Sequence, residues 1–157
     1  MHGKNGHVKK GIYWFVFLIG CLLSPLSYAA PEAITPMGTW IKLNPDTNEP
    51  GAEIQITQAT DNTLEGKVTK VLDPAKNHTT CTDCPEEFKN RPIVGMEVLW
   101  GLKQASDYTW VDGHVLSPRL GKVFSCNATL SQDGQTLTIR LYSVSAILGH
   151  TETWYRA

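Results

Sequence analysis

What most constrains this chain is a period of two. From residue 38 onward, apolar residues recur at every second position in short runs separated by Gly, Pro, Asn and Asp. That is the signature of half-buried β-strands. Thr39–Leu43 opens the series. Ala52–Thr57 places Ile54 and Ile56 on one face, and Leu64–Val71 follows the turn residues Asp61 and Asn62. Val94–Leu102 sets Val94, Met96, Val98, Trp100 and Leu102 together. Tyr108–Leu116 is interrupted by Gly113, a bulge signal. Val123–Leu130 turns Phe124, Cys126, Ala128 and Leu130 inward, and Asp133-Gly134 marks a hairpin into Leu137–Leu141. Thr151–Arg156 closes the set. No segment repeats apolar residues at helical spacing over three turns. The reading is all-β: eight short antiparallel strands in a meander. Such a set closes into a barrel that abolishes its edges, or stacks as a β-sandwich; periodicity alone does not separate the two. One long connection, 73–93, breaks the rhythm, with a short helical turn expected near Glu86–Lys89.

The first thirty residues differ from the rest. Lys4, Lys9 and Lys10 precede an uncharged apolar run from Ile12 to Leu23, and Ser27-Tyr28-Ala29 follows. A basic start, a short apolar stretch and small residues make a secretory signal peptide over 1–29, cleaved after Ala29. The run is shorter than the roughly 20 residues that span a bilayer. Leu18-Ile19-Gly20-Cys21 also fits a lipobox, which would make Cys21 the anchor of a lipoprotein. Cleavage leaves 30–157 as a single domain with eleven basic and fifteen acidic side chains, a net charge of −4 against −1 for the whole chain. A mildly acidic exported domain carries no footprint for nucleic acid. The expected location is the periplasm or the outside of the cell.

Three cysteines then remain: Cys81, Cys84 and Cys126. In an exported protein the first expectation is a disulfide, Cys81 to Cys84 or either of them to Cys126. His78, Cys81, Cys84 and Cys126 are instead the right donor types for zinc. A thiol-redox role for Cys81/Cys84 is a further alternative, although no βαβ pattern supports a thioredoxin-like unit. Pro85 follows Cys84 where a haem attachment site needs His. No cofactor is expected.

Asp112 and His114 share a face if their strand is regular, but neither a Ser elbow nor a metalloprotease or phosphate-binding motif accompanies them. No constellation proposes a reaction, so the expectation is a non-enzyme. Val144–Leu148 is apolar between two strands: a buried crossing, a lid, or a surface that meets an envelope partner. Trp40, Trp100, Trp110 and Trp154 are candidates for the interior.

Three blocks resemble one bacterial family. Arg140 to Arg156 resembles R-G-Y-x-G-x-S-x-x-G-R-T-x-T-W-x-R. Trp110 to Cys126 resembles W-x-G-G-x-I-x-D-P-x-x-G-K-x-Y-x-C. Gly38-Thr-Trp40, Cys81, Cys84 and Arg91–Gly95 match the opening pieces. The chain is similar to the exported DUF2147 group over nearly all of 38–156. Leu141 and Val144 depart from two glycines of the pattern, Asp112 from a third, Ser117 from an Asp and His150 from an Arg. The resemblance implies a lipocalin-like, calycin-type barrel. Gly38-x-Trp40 at the first strand and Arg156 at the last fit a barrel-closing Trp40–Arg156 stack, a structural pair. In such a barrel Met96, Val98, Trp100, Trp110 and Phe124 are the expected lining for a small apolar or amphipathic ligand. The alternatives are an envelope interaction module with a filled core, and a redox or metal protein.

Overall fold

The computed structural model describes Gly3 and residues 34–157 apart from 74–75, 77–78 and 145–147. The export signal (Gly3 aside), Cys21, His78 and the centre of the 144–148 stretch fall outside the described residues. The chain divides into Met1–Glu32 and Ala33–Ala157. The second unit holds eight strands: β1 Gly38–Leu43, β2 Pro50–Gln58, β3 Leu64–Val71, β4 Glu97–Ser106, β5 Thr109–Ser117, β6 Lys122–Leu130, β7 Thr136–Tyr142 and β8 Gly149–Arg156.

Each strand pairs antiparallel with the next, and β8 returns to β1 through Trp40–Arg156, Ile41–Tyr155 and Lys42–Trp154. That last seam makes the molecule a closed barrel and excludes the sandwich. Alternation does the rest. Ile54 and Ile56 of β2, Cys126, Ala128 and Leu130 of β6, and Leu137, Ile139 and Leu141 of β7 are all at most 2% exposed. Burial of each large apolar side chain is worth about 1.5–3 kcal/mol. The packing is tight: a Cβ on Gly113 would stand 2.4 Å from Leu102 Cγ and 3.2 Å from Cys126 Sγ.

β4 corrects the sequence reading. Val94 and Met96 precede the strand, which begins at Glu97. Against β3 the register shifts twice, so Leu99 and Leu102 pair with Gly66 and Leu64. Both are fully buried, whereas Trp100 is partly exposed. Gly101, at φ +72°, accommodates the extra residue between them. Simple alternation from Val94 to Leu102 is therefore broken, and Trp100 lies outside, its ring between Phe88 (5.7 Å) and His114 (5.8 Å, stacked).

The connection from β3 to β4 spans 72–96 and carries a Cys81–Cys84 disulfide. The segment is pinned by a Thr80–Pro92 bridge and by the Cys81 amide on the Arg91 carbonyl. Around Glu86–Lys89, where a short helical turn was expected, it forms hydrogen-bonded turns, with Phe88 N–H on Pro85 C=O.

Candidate functional site

The two ends of the barrel are built differently. At the end where β1 begins and β8 finishes, Arg156 lies over Trp40, guanidinium carbon to ring centroid 4.4 Å. Arg156 Nε donates to Gly134 C=O at 2.6 Å, Nη2 to Thr35 C=O at 2.7 Å and Nη1 to Met37 C=O at 3.0 Å. The Trp40 indole donates to Pro36 C=O at 2.8 Å. The guanidinium's rigid fork thus ties the segment before β1 to the β6–β7 turn, and this end is sealed.

At the opposite end, where β1 and β7 finish and β6 and β8 begin, the inner face changes character. Register carries the inward parity of Trp40 to Lys42 on β1, and that of Leu137, Ile139 and Leu141 to Trp154, Glu152 and His150 on β8. Phe124 pairs with Val115 and shares the parity of Cys126. Five residues that sequence spacing never grouped therefore meet. Lys42 Nζ lies 2.7 Å from Glu152 Oε2, with their side chains 23% and 20% exposed. The Trp154 indole donates to the same oxygen at 3.3 Å. His150 Nε2 stands 3.8 Å from Glu152 Oε1, and its ring meets Phe124 edge-on at 6.0 Å. Burial pushes the Glu152 carboxyl upward. The Lys42 ammonium, the indole and His150 together outweigh that effect and hold it below the usual glutamate value. Leu141, paired with His150, and Cys126, paired with Leu141, are at most 1% exposed. Leu141 stands where the resembling pattern has glycine.

The β7–β8 connection at this end exposes two apolar side chains: Val144 is 90% and Leu148 80% exposed. They are the described residues of the 144–148 stretch. Arg119 of the β5–β6 turn reaches Asp46 of the β1–β2 loop at 3.8 Å. The disulfide loop touches the same turn, Cys81 Sγ lying 3.7 Å from Pro118 C=O. Ser117, in place of an acid, is buried at the end of β5.

The expected lining residues are dispersed. Phe124 stands in the mouth. Trp110, 4% exposed and opposite Ala128, packs inside the sealed half. Val98 is buried at a register break, Met96 is buried ahead of β4, and Trp100 is on the outer wall. Two open clefts, of about 360 and 420 Å³, flank Phe88 on that wall, lined among others by Lys67 and Glu97 and by Glu65 and Trp100.

The cysteine alternatives separate spatially. Cys81 and Cys84 are bonded to each other and buried, and Cys126 is a free thiol in the barrel interior. Burial pushes that thiol up to about 12. Among the described residues, no three His, Cys, Asp or Glu side chains are grouped to hold a metal ion. Asp112 takes a φ of +60° at a register shift, so it and His114 are not neighbours on a regular strand, and no ion pair joins them among the described residues.

The sequence of residues 38–156 matches the model of the DUF2147 family, described as uncharacterized proteins conserved in bacteria. No curated protein matches. Among solved structures, the chain is similar to protein HP1028 from Helicobacter pylori, described as belonging to the lipocalin family. The TM-score is 0.69 at 16% identity, over 78% of this chain and 83% of that one. At that identity the likeness is one of fold.

Proposed function

The chain belongs to the DUF2147 family, and from that premise we propose that it is an exported, non-enzymatic barrel protein that binds a small amphipathic molecule at the open end of its barrel. One observation carries the reading. A closed lipocalin-like barrel, sealed at one end by Trp40 and Arg156, places an ion pair, a histidine and an aromatic ring together on the inner face of the other. Polar groups clustered over an apolar floor are the usual composition of a small-molecule site. Export is supported by the basic-apolar-small pattern of the first 29 residues and by the disulfide, which persists in oxidising compartments. The test is native mass spectrometry of the protein purified without detergent, followed by extraction of bound molecules. A recurrent amphiphile at near-stoichiometric amount, lost on mutation of the mouth, is expected. A ligand-free protein that takes up no amphiphile on titration would overturn the reading.

A second reading rests on Val144 and Leu148, whose side chains stand almost fully in solvent. Exposed apolar residues on a loop mark contact surfaces. Here the barrel is an envelope module, and the loop meets a partner. Photo-crosslinking from position 144 or 148 in cells separates the two: one recurrent protein adduct favours the module, and lipid adducts favour the binder.

A further inference from the structure

We propose that the ligand enters head-first: an anionic head group docks at Lys42 and His150 inside the mouth, and its apolar tail lies outward along the rim at Phe124, Val144 and Leu148. The inference rests on the binding reading above and fixes the chemistry and orientation it would have.

Hydrogen-bond accounting sets the head group. Glu152 is the acceptor of the cluster, and its oxygens are already committed: Oε2 to the Lys42 ammonium and the Trp154 indole, Oε1 facing His150. An ammonium has three donors. Lys42 places one on Glu152, and its side chain remains 23% exposed. The unspent capacity of the site is therefore donor capacity, which calls for an acceptor-rich head such as a carboxylate, phosphate or sulfonate.

Packing sets the direction. A tail directed inward would meet Leu141, Cys126, Ile139 and Trp154, all at most 1% exposed. The same interior leaves no room for a Cβ on Gly113. Outward, the chain offers Phe124 and then the solvent-facing Val144 and Leu148.

The test uses three probes with one tail, at submicellar concentration: decanesulfonate, decyltrimethylammonium and decanol, titrated calorimetrically into the purified protein at one fixed pH. The expected result is a preference of about tenfold or more for the sulfonate. K42Q/E152Q, which leaves no lone buried charge, should abolish that preference. V144S/L148S, at exposed positions, should weaken all three probes alike. Equal binding of all three probes, or a preference untouched by K42Q/E152Q, would leave an amphiphile binder standing and overturn the head-first orientation. Unchanged affinity in V144S/L148S would overturn the placement of the tail. If none of the three binds, both this inference and the binding function fail.

Discussion

Arg156 spends three nitrogens on carbonyls from two different segments and its face on Trp40. Charged hydrogen bonds are worth about 1.5–3 kcal/mol each and a desolvated cation–π contact about 2, without being additive. Arg156→Ala should therefore lower unfolding free energy by about 3 kcal/mol in a guanidinium titration. Arg156→Lys should recover only part, because an ammonium cannot fork. Gly113 is a second single-residue constraint. Gly113→Ala drives a methyl into Leu102 at 2.4 Å, and overpacking of this kind costs about 1–3 kcal/mol. Cys126 provides a probe of the interior: with its thiol pushed up to about 12 by burial, it should resist iodoacetamide in the native protein. Peptide mapping should find it alkylated only after unfolding; rapid labelling of the folded protein would contradict a buried thiol.

Among the elements, the 72–96 connection departs most from the barrel's regularity, and β4 beside it takes two register shifts. The disulfide closes a very short loop, so the chain-entropy model gives it only about 2 kcal/mol. Cys81→Ser/Cys84→Ser should lower stability by about that amount while far-ultraviolet circular dichroism stays that of the barrel. Hydrogen exchange should rise locally, at the Cys81 and Asn90 amides that bond within the loop. A collapse of the whole barrel would mean that the loop organises β4 rather than covering it. Strand existence was legible from alternation alone, and all eight strands appear. The face that Trp100 presents was not. A bulge inverts parity downstream of itself, and a run of apolar residues does not announce where its extra residue sits.

For the whole molecule, acid stability follows from the mouth. The Glu152 carboxyl is lowered in the folded barrel relative to an unfolded chain, so the unfolded state binds its proton more readily. The contribution is complete above the ordinary glutamate range and is lost as pH falls through the lower folded value. Stability should therefore drop below about pH 4, and part of that drop should be missing in Glu152→Gln, measured by urea titration across pH 3–7. An identical acid limb in the variant would show that the Lys42–Glu152 pair does not contribute.

The sequence by itself determined the class of the fold, the likeness to its family and the sealed end of the barrel. The fold class rests on local periods, and the sealed end on the resemblance to lipocalin-like barrels, which singles out Trp40 and Arg156. Only the tertiary structure decided the polar grouping at the other end. Lys42, His150 and Glu152 read along the chain as ordinary polar positions in strands, and polar residues in strands normally face water. Closing β8 onto β1 carries the inward parity of Trp40 to Lys42 and that of Trp154 to Glu152 and His150. The mouth exists because strand alternation continues past the point where the apolar core ends. Where that point falls is set by the shear and closure of the barrel, which no single strand encodes.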